Sequence, residues 1–301
     1  MRRWTIGRLS AALAAALLLA GGPAAAGGPV NGKGLLWHIQ PAQGPASHIF
    51  GTIHLTDERV RRLPAPVQEA FREAASLTVE IERTHDMPAR VGRLMILGNG
   101  DRLSDILGKA LFARTVAAAA PFGVNAGVLD RLKPWAAFVS FSLPPSERAR
   151  QAQGALPLDH MLQARAEARG LPVHSLETVE EQLGVFDSLP RKDQIALLRT
   201  MVGEAGKAEA IAETVLGFYL ERNVGGLMDW MANQMAGDNA RLHNVYIQRL
   251  LQGRNLVMVR RIAPRLSEGR AFISVGAAHL PGKGGIIERL AGKGYTVSRV
   301  Y

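Results

Sequence analysis

After the first residues, short apolar runs bounded by turn residues lie towards both ends of the chain, and a period of 3.6 dominates between them. Leu35 to Ile39 and His48 to Ile53 predict two strands, joined by the turn-rich Gln40-Pro41-Ala42-Gln43-Gly44-Pro45. Pro66 to Ala75 predicts a helix, with Pro66 in its first turn and Val67, Ala70, Phe71 and Ala74 on one face. Leu77 to Ile81 follows as a strand. Helical periodicity then dominates, near 87–97, 109–120, 134–142, 157–169, 190–221 and 238–266. One further strand, Leu171 to Leu176, interrupts it. The carboxyl end returns to strand, helix, strand over 271–275, 285–291 and 295–300, with Gly292 and Gly294 marking the last turn. This order predicts an α/β fold: a mixed sheet built from N- and C-terminal strands, with a large helical insert at about 86–266.

The first 26 residues stand apart from that pattern. Arg2, Arg3 and Arg8 precede the apolar stretch Ala11 to Ala20, and Ala24-Ala25-Ala26 supplies small residues for cleavage. That is the arrangement of a secretory signal peptide, and the apolar core is too short to span a bilayer. The Arg2-Arg3 pair leaves both the general and the twin-arginine export routes open. The expectation is a leader over 1–26, a single domain over 27–301, and a periplasmic or secreted product with no stable membrane span after cleavage.

Composition narrows the chemistry. The 301 residues include no cysteine, so an exported form has no disulfide, no thiol nucleophile and no thiolate metal site. Any metal must be held by imidazole, carboxylate or water, which suits zinc, manganese, cobalt or iron better than copper(I). The formal charge of +10 falls to +7 once the three leader arginines are removed. The remaining Arg and Lys residues are scattered, as in the pairs Arg61-Arg62 and Arg260-Arg261, without interleaved aromatic residues. A solvated basic surface is therefore expected, and no nucleic-acid partner.

One pattern occurs twice. Gly51-Thr52-Ile53-His54 closes the second strand, and Gly276-Ala277-Ala278-His279 closes the strand at 271–275. A glycine permits close packing at a strand end, and the histidine three residues on can serve as ligand or base. Strand ends are where open α/β sheets bind ligands. Two unrelated histidines, one capping a helix and one in a loop, would give the same spacing. Glu80 sits in the apolar strand Leu77-Thr78-Val79-Glu80-Ile81, where a carboxylate is costly unless paired or bound to a metal. Glu82 shares its face, and Glu80 is taken as the inward residue. Glu177 also ends a strand, and either faces the same sheet edge or caps the next helix. Arg254-Asn255 opens a long amphipathic helix. Asn255 can be its N-cap, or Arg254 can hold a carboxylate or oxyanion. The other histidines (His38, His48, His85, His160, His174 and His243) show no metal-ligand spacing, and no Gly-x-Ser-x-Gly, phosphate-loop or dinucleotide motif is present. Met228, Met231 and Met235 around Trp230 are read as core packing.

Taken in order, Trp37, Gly51-Thr52-Ile53-His54-Leu55, the Glu80 strand, Leu158-Asp159, Leu176-Glu177-Thr178 with Gln182, Arg254-Asn255, Val275-Gly276-Ala277-Ala278-His279-Leu280 and Gly294-Tyr295-x-Val297 resemble the TraB/GumN family. The resemblance covers nearly the whole chain after the leader. It implies an α/β core shared with erythromycin esterases and haem-binding ChaN-like proteins. It also implies kinship with the TIKI proteins, which are divalent-metal-dependent proteases. By this resemblance His54 and His279 match the two Gly-x-x-His motifs, Glu80 the strand glutamate, and Arg254-Asn255 the polar pair.

The expectation is an exported divalent-metal-dependent hydrolase, a metalloprotease in its most specific form. His54, Glu80 and His279 would hold manganese, cobalt or zinc, and Arg254 with Asn255 would orient a peptide or small-molecule substrate. The alternative is a non-catalytic periplasmic protein that binds a metal, haem or a peptide signal.

Overall fold

The computed structural model describes residues 31–234, 241, 244–245 and 247–301. The leader expected over 1–26, and part of the helix expected over 238–266, lie outside the described residues. The chain forms two compact units. One comprises Thr84–Ala155 and Val179–Thr214, and the other comprises the described residues up to Arg83 with Leu156–Thr178 and Val215–Tyr301. The helical unit is thus smaller than the insert read from the sequence over about 86–266. Residues 156–178 and the described residues of 215–301 belong with the sheet.

The sheet unit carries six strands: β1 (Leu36–Gln40), β2 (Ser47–Thr52), β3 (Ser76–Val79), β4 (Val173–Ser175), β5 (Ala271–Gly276) and β6 (Thr296–Arg299). Their order across the sheet is β4-β3-β5-β2-β1-β6. The four strands β4, β3, β5 and β2 run parallel, and β1 lies antiparallel between β2 and β6. The α/β class with a mixed sheet expected from the sequence is what the chain adopts.

Strand alternation divides the core between the two faces of the sheet. Leu36, Phe50, Leu77 and Phe272 point to one face, against Val67, Ala70 and Phe71 of the helix Ala65–Glu73 and Leu158, Met161 and Leu162 of the helix Leu158–Ala168. Trp37, Ile39, Ile49, Ile273 and Val275 point to the other. They meet Met258, Val259, Ile262 and Leu266 of the helix Arg254–Glu268 and Ile286, Ile287 and Leu290 of the helix Ile286–Ala291. Parallel strands need both faces covered, and these helices cover them. The apolar stripe at 3.6-residue spacing on 254–268 is therefore the face buried on the sheet.

Some boundaries moved for local reasons. The helix over Leu103–Ala119 begins before the expected 109, but Gly108 breaks it at φ 73°, and regular periodicity starts after that kink. The expected helix over 190–221 divides into Arg191–Glu204 and Ala208–Leu220, with a 3-10 turn at Ala205–Lys207 that contains Gly206. The helix Pro145–Ala152 lies in a stretch not read as helical, and its mean polarity obscured it. In the helical unit, Trp135 stacks on Phe186 with ring centroids 5.9 Å apart, and its indole N–H donates to Asp187 at 2.7 Å.

Candidate active site

Every parallel strand delivers one polar residue just past its carboxyl end: His54 after β2, His279 after β5, Glu80 after β3 and Glu177 after β4. The strand order therefore places them as a row, Glu177, Glu80, His279, His54, on one edge of the sheet. This is the edge on which open α/β sheets present ligand-binding groups. Glu80 was expected inside its strand; the strand stops at Val79, and Glu80 is the first residue beyond it.

The two glycines of the repeated motif have steric reasons to be there. A Cβ on Gly51 would stand 2.8 Å from Leu280 Cδ1 and 3.0 Å from Ala277 Cα. One on Gly276 would stand 3.0 Å from Glu80 Oε1, the atom to which the Gly276 N–H donates at 2.6 Å. The first glycine lets the two motifs pack together, and the second lets Glu80 reach the β5 backbone.

Arg254 and Glu80 form the centre of a buried ionic network. The Arg254 Nη2 donates to Glu80 Oε2 at 2.7 Å and to Glu177 Oε2 at 2.6 Å. Its Nε donates to both Glu177 oxygens at 3.0 Å, and Nη1 reaches the Leu250 carbonyl at 3.3 Å. Leu250 lies in the π-helical segment Ile247–Gly253 that precedes the helix Arg254–Glu268, and such segments often occur at functional sites. Burial alone would raise the Glu80 carboxyl. Arg254, His279 and His54 and the Gly276 N–H outweigh it and hold Glu80 down at about 2. Burial would likewise lower Arg254, but Glu80 and Glu177 raise it further above its ordinary range. The network is ionised at neutral pH.

His279 is buried and clamped. Its Nδ1 stands 2.6 Å from Asn255 Oδ1, and the Asn255 amide donates to the Gly284 carbonyl at 3.0 Å and to the His279 carbonyl at 3.4 Å. With the amide nitrogen facing two carbonyls, Oδ1 is left to accept, so the ring proton resides on Nδ1. Nε2 then carries a lone pair and lies 3.7 Å from Glu80 Oε1. Burial first, then Arg254, depresses the imidazole to about 3, and His279 is neutral. Asn255 is not an N-cap. The preceding Gly253 is already helical, at φ −62° and ψ −44°, and the Asn255 side chain is spent on the His279 loop.

His54 has the opposite environment. Its Nδ1 lies 2.9 Å from Asp159 Oδ2, and the two side chains are 15% and 17% exposed. Burial would lower this imidazole, but Asp159 and then Glu80 raise it to about 9. Asp159 is held well below the usual carboxylate range, because His54 and His160 outweigh its burial. The Tyr219 hydroxyl donates to the Gly51 carbonyl at 2.9 Å, and the Thr52 hydroxyl to the Val275 carbonyl at 3.2 Å, which fix the strand end that carries His54.

The sequence-derived residues His54, Glu80, Arg254, Asn255 and His279 thus line the same sheet edge, or touch residues that do. The structure gives the polar pair definite partners. Arg254 was read as holding a carboxylate or an oxyanion, and its Nε and Nη2 meet the carboxylates of Glu177 and Glu80. Asn255 was expected to orient substrate, but it orients His279. Glu177 gains a definite partner in Arg254. Asp159 was not among the expected site residues. Its place in the Leu158-Asp159 motif, directly after Pro157, was the only signal for it.

The donor set fits a divalent cation in chemistry. His279 has Nδ1 against Asn255, which leaves Nε2 as a donor, whereas His54, raised to about 9 beside Asp159, must give up a proton before it can bind a metal. Glu80 adds an anionic oxygen. Among the described residues, no three His, Asp or Glu side chains close around a common point as a ready cation site.

The fold and this edge define an α/β protein with a His-Glu-Arg-Asn cluster beyond the ends of its parallel strands. The sequence profile of the TraB/PrgY/gumN family matches residues 35–299, and the chain belongs to that family. No curated protein and no solved structure shows significant similarity to it.

Proposed function

We propose that the protein is a divalent-metal-dependent hydrolase that works outside the cytoplasm, with peptides as its most specific substrate class. One observation carries this reading: two histidines at the ends of adjacent parallel strands stand in one row with the ionised Glu80, and His279 lies next to it. His54 and His279 would hold manganese, cobalt or zinc through Nε2, with Glu80 as third ligand or as base. A divalent ion bound there supplies Lewis-acid polarisation and a water of lowered pKa.

The chain's own residues prepare that chemistry. Arg254 and the Gly276 N–H fix both Glu80 oxygens, which keeps the carboxylate anionic and aimed along the sheet edge. Asn255 keeps the lone pair of His279 on Nε2. Glu177 neutralises the rest of the Arg254 charge, so the guanidinium steadies Glu80 without repelling a cation. Location outside the cytoplasm rests on the composition of residues 1–26. The kinship of the family with the TIKI proteases supports peptide cleavage as the reaction.

The test is turnover. Protein loaded with manganese, cobalt or zinc should cleave members of a peptide library, and His54→Ala should lower the rate at least 100-fold, consistent with loss of a metal ligand or acid–base group. Equal turnover by wild type and His54→Ala would rule the reading out.

A second reading is favoured by the engagement of both Glu80 oxygens and by the burial of His279. The same residues would then bind a metal, haem or a peptide signal without turnover. Retention of such a ligand through purification, with no hydrolysis of any peptide or ester, would select it.

A further inference from the structure

We infer that His38 and His48 form a separate metal site, a two-imidazole chelate for a divalent ion of the nickel, copper(II) or zinc type, at the far end of the sheet from the strand-end cluster. The inference is independent of the function proposed for that cluster. His48 lies six residues before His54 on β2, which is about 20 Å along an extended strand.

The register of β1 and β2 carries it. Along the chain the two histidines are ten positions apart, and only strand pairing brings them face to face. His38 stands directly opposite His48, two pairs on from Leu36 opposite Phe50. The Gly51 N–H donates to the Leu35 carbonyl at 2.8 Å, so Leu35 and Gly51 are a hydrogen-bonded pair. Such pairs alternate with non-hydrogen-bonded ones, and His38 with His48 falls in the second kind, in which facing side chains come closest. The other edge of β1 agrees. The Val300 N–H donates to the Leu36 carbonyl at 2.8 Å, so Leu36, and with it His38, turns its backbone groups to β6 and not to β2.

The rings are placed as the register requires. Their centroids are 5.3 Å apart and their planes meet at 70°. Two imidazoles on one tetrahedral ion, each bound at ~2.0–2.1 Å, have centroids about 5 Å apart, so one ion can be shared with little movement. Both side chains are half-buried, which leaves water and ions a way in.

The surroundings favour a cation. By strand alternation both histidines share the face of Leu36 and Phe50, the face covered by the helix Ala65–Glu73. Glu73, the last residue of that helix, lies close enough to act on His48 through its charge. Among the described residues no third His, Asp or Glu completes a ligand set, so the bound ion keeps water in its remaining positions and exchanges freely. Imidazole donors select nickel, copper(II) and zinc over magnesium or calcium, and the chain has no cysteine to compete for them.

The experiment is a nickel titration followed by calorimetry at pH 7.5. It uses untagged protein carrying His54→Ala and His279→Ala, which removes the strand-end imidazoles. One nickel ion should bind per chain. His38→Gln and His48→Gln, each added to that background, should weaken it about 100-fold, because a single imidazole loses the advantage of the linked pair. Saturating nickel should also raise the thermal midpoint of the background protein, since the pair exists only when β1 and β2 are joined, and should not do so in either Gln variant. If the background protein does not fold, the same two substitutions in the wild-type chain should each remove one equivalent of bound nickel.

Nickel bound as tightly without His38 or without His48 would overturn the proposal. So would a folded background protein that takes up no stoichiometric nickel.

Discussion

His54 and His279 arise from nearly the same tetrapeptide, yet the protein drives their proton affinities apart. Asp159 raises the first against the effect of burial, and burial with Arg254 depresses the second. The two shifts give the fold a pH dependence with a definite sign. His54 binds its proton more tightly folded than unfolded. Its contribution is therefore complete below its ordinary 6.5 and is lost as pH rises through about 9. Glu80 releases its proton more readily when folded, so its contribution is present above 4.5 and is lost as pH falls towards about 2. His279 adds to the acid side: below 6.5 the unfolded chain binds a proton that the folded chain refuses until about 3. Urea midpoints should peak between these flanks, and His54→Gln should flatten the decline between pH 6.5 and 9. An identical alkaline slope in wild type and variant would contradict the assignment. At this scale the sequence revealed which residues to watch but not their states. The partners Asp159 and Asn255 lie 105 and 24 positions from their histidines, and only the tertiary fold selects them.

The elements follow the hydrophobic pattern closely where burial is two-sided. Strands β2 and β5 alternate between the two cores residue by residue, Ile49 and Ile273 to one side, Phe50 and Phe272 to the other. A one-residue slip in their register would exchange the two faces, so burial fixes the register, although the pattern did not say which strands pair. The start of the helix Arg254–Glu268 was read at Arg254-Asn255, but the π-helical segment Ile247–Gly253 that leads into it was not. The glycines at strand ends were read as allowing close packing, and the sequence did not show what they pack against. Gly51→Ala puts a methyl group 2.8 Å from Leu280 Cδ1 and 3.0 Å from backbone at Ala277. The side chain can shift, but the backbone contact between the two motifs cannot do so freely. We expect a loss of about 1–3 kcal/mol in urea unfolding, in the range of other overpacked cores. A neutral result would mean that the two motifs are not in firm contact.

For the whole molecule, a six-stranded mixed sheet gathers four strand ends into one row, and its two faces are sealed by helices from distant parts of the chain. The order of strands and helices was readable because each repeats a strong local period. The division into units was less so, since helices of the sheet unit and of the helical unit share the same period and differ only in what they cover. Among the described residues, no helix is long and apolar enough to cross a membrane. The central proposal is that the two Gly-x-x-His motifs hold one divalent ion between them, and anomalous diffraction at the zinc edge from zinc-soaked crystals of the protein tests it most directly. The account predicts one strong peak within about 2.2 Å of both His54 Nε2 and His279 Nε2, absent in the His54→Ala, His279→Ala double variant. A saturating soak that leaves this edge empty, or imidazoles more than about 10 Å apart across it, would contradict the claim.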